Sequence, residues 1–112
     1  MTLSYRAGKV VTTDSTDTIA DGVAGRFPIS EVLGDLLKLA DDALLVEEES
    51  IVEGMRLLYQ HAGLVVEPSA ALGIAAILEN RERFAGRRVA SILCGANIST
   101  ERFEELLNAP DS

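Results

Sequence analysis

The chain has 112 residues, 47% of them hydrophobic, with one cysteine and a formal net charge of -8. That length supports one modest core, and the acidic balance repels phosphate backbones and anionic lipid, so nucleic acid and membrane surfaces are excluded as partners. The lone Cys94 can form no intrachain disulfide, no Cys/His cluster suits zinc, and neither a signal-length apolar run nor a membrane span is present, which predicts a soluble, cytoplasmic protein.

The whole of 1–112 reads as a single partial domain, with a loop-rich extended segment at 1–27 and an α/β segment at 28–112. Thr12 to Thr18 is rich in Thr, Ser and Asp, whose side chains bond their own backbone and favour a loop. Ser30 and Glu31 after Pro28 read as a helix start that runs to about Lys38, with Val32, Leu33, Leu36, Leu37 and Leu39 as its apolar stripe and Gly34 weakening it. Ala43 to Val46 is a short apolar run bounded by charge, which suits a buried strand. Ile51, Val52, Met55, Leu58, Tyr59 and Ala62 recur at helical steps, Glu47 to Glu49 complement the positive end of the dipole, and Gly63 supplies the stop. Leu64, Val65 and Val66 lead to Glu67, with Pro68 suited to a first helical turn and Ala71, Ile74, Ala75 and Leu78 on one face of a small-residue helix. Arg81 to Gly86 turns the chain, Val89 to Cys94 forms a second strand, and Ser99 or Thr100 caps a last helix carrying Phe103, Leu106 and Leu107. This alternation predicts a partial parallel sheet with flanking helices.

Most titratable residues have ordinary explanations. Asp41 and Asp42 precede their strand, whereas phosphoacceptor chemistry places acids at a strand's carboxyl end. His61 falls late in a helix, where an imidazole favours the negative dipole end. Lys9 and Lys38 are the only lysines, and Lys38 lies on a helix with a polar face that keeps its ammonium in water. Three places attract attention instead. Cys94 is either a small core residue or, followed by Gly95, Ala96 and Asn97, a weak donor at the end of a strand; Glu67, closing an apolar run, is either a helix cap or a carboxylate that holds a charge in a cleft; Gly22 is either part of an ordinary turn or a place where backbone passes close over a ligand. Ligands of open α/β sheets bind at that carboxyl edge, and the three together suit a flat ligand.

TIADG at Thr18 to Gly22, the stretch from Asp41 through Ile51 to Leu58, VVEPSAA at Val65 to Ala71 and LCGAN at Leu93 to Asn97 resemble, in order and spacing, the carboxy-terminal part of threonine/serine dehydratases. These are pyridoxal-phosphate enzymes of fold type II, the tryptophan-synthase-β-like architecture, and serine racemases belong beside them. The resemblance spans about Tyr5 to Ile98, roughly the last third of such an enzyme. It implies the end of the large α/β domain and a β-elimination that converts a hydroxy amino acid to a 2-oxo acid and ammonia.

On the same ground Cys94 matches the position, usually serine, that faces the pyridine nitrogen. Gly95 and Asn97 match the family's Ser-Gly-Gly-Asn turn, in which Ala96 replaces the second glycine. Gly22 matches a glycine beside the cofactor ring, and Glu67 matches the acid of the Glu-Pro segment near ring and substrate, with Ser69 an adjacent possibility. Val46-Glu47 departs from a Val-Ser or Val-Thr start and weakens that helix cap. The family's Schiff-base lysine and phosphate-cradling glycine loop lie upstream of the matched region, so no catalytic residue is assigned. The chain is expected to be a fragment, inactive alone, that binds the cofactor weakly or not at all and needs the missing amino-terminal portion or an oligomeric partner. A non-catalytic interaction module pairing with a separate half is the alternative, and a serine racemase or another hydroxy-amino-acid dehydratase is the alternative within the family.

Overall fold

The structure is a computed structural model that describes residues 1–110. Its contacts divide the chain into two compact units, one made of Met1–Thr18 and Val23–Leu45, the other of Ile19–Gly22 and the chain from Val46 onward.

In the first unit, helix α1 spans Thr2–Ala7 within the segment expected to be loop, and α2 spans Ser30–Leu39. Gly8 ends α1 in the left-handed region at φ 70°, a conformation that costs glycine little. The returning chain is tied down at Ser4, whose fully buried hydroxyl accepts the Val11 N–H at 2.8 Å and donates to the Val11 carbonyl at 3.2 Å. Tyr5 then donates its hydroxyl to the Ala40 carbonyl at 2.8 Å, joining α1 to the end of α2. The apolar stripe read along α2 buries only Leu33, while Val32, Leu37 and Leu39 remain exposed. Ser30 is the first helical residue and makes no side-chain cap; Ile29 holds the capping position.

The second unit holds the main core. Helix α3, Glu48–Ala62, puts Ile51 and Met55 against Ala70, Ala71 and Ala75, and Gly63 closes it at φ 66°. Pro68–Ala71 forms a 3-10 turn that leads into α4, Leu72–Glu79, followed by the single-turn α5, Arg81–Phe84, and α6, Thr100–Asn108. Gly54 permits the close approach of α3 to the turn: a Cβ there would lie 3.1 Å from the Ala71 carbonyl oxygen and 3.3 Å from Ile74 Cβ. Phe103 and Leu106 of α6 complete the core, with Phe103 edge-on to Tyr59 at 5.5 Å. Arg56 pairs with Glu53 and donates to the Leu107 carbonyl at 2.8 Å, fastening α6 to α3. The weak start of α3 is compensated from a distance, because Glu79 accepts the Glu47 N–H at 2.8 Å and Glu48 accepts the Ile19 N–H at 3.1 Å.

The expected parallel sheet is not seen among the described residues. Among the described residues no strand ladder is present: 43–46 and 89–94 carry no regular backbone pairing. The physical reason is burial. A parallel strand is stabilised by neighbours that cover both its faces, and here Leu45 and Ile92 are 62% and 87% exposed. One backbone bond, from the Glu67 N–H to the Gly95 carbonyl at 3.2 Å, joins the ends of two extended runs.

Candidate functional site

That single bond sits at the centre of the candidate site. Val66 is buried in the core and fixes the end of its run, so Glu67 emerges at the edge of the second unit with extended dihedrals before the chain tightens into the 3-10 turn. The Ala70 N–H donates to the Glu67 carbonyl at 3.1 Å, which orients the turn. On the other side the Asn97 N–H donates to Glu67 Oε1 at 3.3 Å. Glu67 is thus held to 95–97 by its backbone and its side chain together. The turn at 95–98 is closed by the Ile98 N–H donating to the Ala96 carbonyl at 2.9 Å.

Gly95 is explained by this carboxylate, and Gly22 by Ser69 with the carboxylate beside it. A Cβ on Gly95 would lie 2.1 Å from Glu67 Oε1 and 2.5 Å from its Cδ, and Gly95 adopts φ 121°, which side-chain-bearing residues rarely do. A Cβ on Gly22 would lie 3.2 Å from Glu67 Oε2 and 2.8 Å from Ser69 Oγ. The structure therefore brings Gly22, Glu67, Gly95 and Asn97 together, although the sequence separates them by up to 75 positions. Cys94 adjoins Gly95 in the chain with its free thiol exposed and takes no part in these contacts. Ser69 joins the group more closely than its sequence neighbourhood announced. Its Oγ is buried without a hydrogen-bond partner, beside Gly22. The only signal in the sequence was its place two residues beyond Glu67.

Chemically, the group offers the Glu67 carboxylate, the Ser69 hydroxyl and backbone amides, with the exposed Cys94 thiol adjoining it in the chain. The charged residues of 21–22, 67–69 and 94–97 are Asp21 and Glu67, both acidic. Such a set suits a neutral or cationic polar ring and repels a phosphate. Among the described residues no three His, Cys, Asp or Glu side chains are grouped to hold a metal, and no helix is long and apolar enough to cross a membrane.

The family described as "Pyridoxal-phosphate dependent enzyme" matches residues 1–95, and the chain belongs to that family. It is 34% identical to the L-threo-3-hydroxyaspartate ammonia-lyase of a Pseudomonas species over 93% of this chain and 33% of that protein. It is 31% identical to the L-threonine ammonia-lyase of Thermotoga maritima over 96% of this chain and 27% of that protein. Among solved structures, maize serine racemase superposes with a TM-score of 0.81 at 30% identity, covering 93% of this chain and 34% of the racemase. The chain therefore spans about a third of the length of the relatives it matches. Its structural neighbours are fold type II enzymes, in keeping with the α/β class read from the sequence.

Pyridoxal phosphate is the cofactor of this family. The residues present fit one end of it. An unpartnered buried hydroxyl, a carboxylate held by a backbone amide and two glycine approaches match a polar ring, whereas the acidic character of the group does not match the phosphate.

Proposed function

We propose that this chain supplies the carboxy-terminal part of a pyridoxal-phosphate-dependent lyase that converts L-threonine, L-serine or a related hydroxy amino acid to a 2-oxo acid and ammonia. On this reading 1–112 is one partial domain of a cytoplasmic enzyme, inactive by itself, and the amino-terminal portion supplies the Schiff-base lysine, the phosphate loop and strands that pair with 43–46 and 89–94. The observation that carries the proposal is the family match over residues 1–95, joined to a Glu67 carboxylate fixed between Gly22 and Gly95. The names of the relatives support the reaction class, and L-threo-3-hydroxyaspartate joins the candidate substrates through the Pseudomonas lyase.

The cofactor supplies the electron sink that makes a proton next to the substrate amine removable. The chain's own residues orient and exclude. Asn97 N–H holds Glu67 so that its second oxygen stays available to a cationic or donor group. Gly22 and Gly95 let two stretches of backbone close on that carboxylate without side chains between them. Cys94 would be the residue to face the ring nitrogen, where a neutral thiol would supply a weak hydrogen bond.

The test uses the purified chain with and without the amino-terminal two-thirds of the Pseudomonas relative. Release of 2-oxo acid from L-threonine, L-serine and L-threo-3-hydroxyaspartate is measured after adding pyridoxal phosphate. Turnover is expected from the pair and none from the chain alone. Turnover by the chain alone, with borohydride fixing the cofactor to Lys9 or Lys38, refutes the assignment. A pair that co-elutes on size exclusion but releases no 2-oxo acid also counts against it.

A further inference from the structure

We propose that Gly73 is a positioning residue: the notch left by its missing side chain seats Ser91 and thereby fixes the register in which 94–97 meets Glu67. The bearing of this contact on turnover rests on the function proposed above.

The run 89–94 lacks what ordinarily holds a strand. It has no ladder among the described residues, and Val89 and Ile92 are exposed. Yet its far end is placed closely enough for the Gly95 carbonyl to accept the Glu67 N–H at 3.2 Å and for the Asn97 N–H to reach Glu67 Oε1 at 3.3 Å. Helix α4 sets the run lengthwise. A Cβ on Gly73 would lie 2.0 Å from Ser91 Oγ and 3.1 Å from Ser91 Cβ. Turning the hydroxyl relieves the first contact, but the second involves an atom bonded to the backbone and is relieved only by moving the chain. Alanine would favour the helix more than glycine at this place, so the close approach accounts for the residue. Gly34 of α2 gives the contrast, since a Cβ there meets nothing within 4 Å.

Register matters because alternate residues of an extended run face opposite ways. With Ser91 turned to α4, Leu93 shares its side and is 38% exposed, while Ile92 at 87% lies on the other side with the exposed Cys94. A slip of one residue moves an extended chain about 3.3 Å and reverses its faces. That displacement is as long as the bond from Asn97 to Glu67, so the Asn97 N–H would lose its acceptor and Cys94 would turn toward α4.

The test moves a carbon across the contact. Gly73→Ala fills the notch from the helix, Ser91→Gly empties it from the run, and the double variant again leaves one carbon between the two backbones. Amide exchange of the 15N-labelled chain is followed by NMR at Glu67, Asn97 and Met55. In each single variant the Glu67 and Asn97 amides are expected to exchange about tenfold faster while Met55 keeps its rate, because the exposed run yields before the core. The double variant is expected to slow both amides again, the coupling that a shared contact produces. Unchanged exchange at Glu67 and Asn97 in Gly73→Ala overturns the proposal, and so does a double variant that exchanges as fast as Gly73→Ala. Equal acceleration at Met55 shows a loss of core packing and overturns it too. Paired with the amino-terminal two-thirds of the Pseudomonas relative, the chain is expected to release 2-oxo acid from L-threonine with a kcat that falls in Gly73→Ala and recovers in the double variant. Full parental turnover in Gly73→Ala overturns the positioning role. A parental pair without turnover overturns the proposed function instead, and the exchange rates still decide the contact.

Discussion

Replacing Gly95 by alanine tests whether the Glu67 carboxylate is truly what that glycine accommodates. Two separable costs are expected. Forcing a side-chain-bearing residue to φ 121° costs about 1–3 kcal/mol. The new methyl would also lie 2.1, 2.5 and 2.8 Å from Glu67 Oε1, Cδ and Cγ, so the whole side chain must swing away and release the Asn97 N–H. That bond lies at an exposed position and is 3.3 Å long, which sets its net worth at about 0.5–1.5 kcal/mol. Gly95→Ala should therefore destabilise the chain by roughly 2–4 kcal/mol. In a Glu67→Ala background the clash has no object and only the backbone strain remains. Urea unfolding followed by far-ultraviolet circular dichroism, on the parent, both single variants and the double variant, gives the coupling directly. A coupling of about 1 kcal/mol is expected, with the double variant more stable than the two single costs add up to. If Gly95→Ala costs the same with and without the Glu67 side chain, the steric account of this turn is wrong.

Other substitutions probe the frame that holds the site. Met55→Ala removes a fully buried side chain from the centre of the core and should cost about 2–5 kcal/mol in the same unfolding assay. Gly34→Ala meets nothing within 4 Å in α2 and should stabilise by up to about 1 kcal/mol, whereas Gly54→Ala presses on the Ala71 carbonyl and Ile74, so its propensity gain is cancelled or reversed. Thermal melts of the two variants should move apart; a matching rise in both would show that α3 and the turn are not in tight contact. Ser99→Ala deletes the hydroxyl that accepts the Arg102 N–H at 3.1 Å and should cost about 1 kcal/mol, read as early fraying of α6 by amide exchange.

What could be read from the sequence divides along a physical line. Features governed by neighbours in the chain were legible: Gly63 ends α3, Pro68 opens a helical turn, and Ser99 caps α6. Helix α1 was not, because its six residues have no apolar stripe and depend on Ser4 and Tyr5 bonding Val11 and Ala40. The strands are not seen among the described residues for the opposite reason. Their apolar runs encode burial, yet burial needs covering layers, and Ile92 at 87% exposure is not covered here. The same divide explains the site. Glu67, Gly22, Gly95 and Asn97 were singled out by residue type at the ends of apolar runs and then by resemblance, and no local pattern could state that they meet around one carboxylate. That relation arises from a single backbone bond and a single amide, which bring 67 and 95–97 into register while the ladder around them is absent. Ser69 was legible only as a neighbour of Glu67, because an unpartnered hydroxyl leaves no trace in a sequence. The core of α3, α4 and α6 fixes Val66, Val66 fixes Glu67, and Glu67 fixes the turn at 95–97, so the geometry of the site descends from helix packing and precedes the sheet. A site ordered in that sequence should keep its Glu67–Asn97 contact while 89–94 stays unpaired, and protection of the Asn97 amide against exchange, set beside rapid exchange at Ile92, is the measurement that decides it.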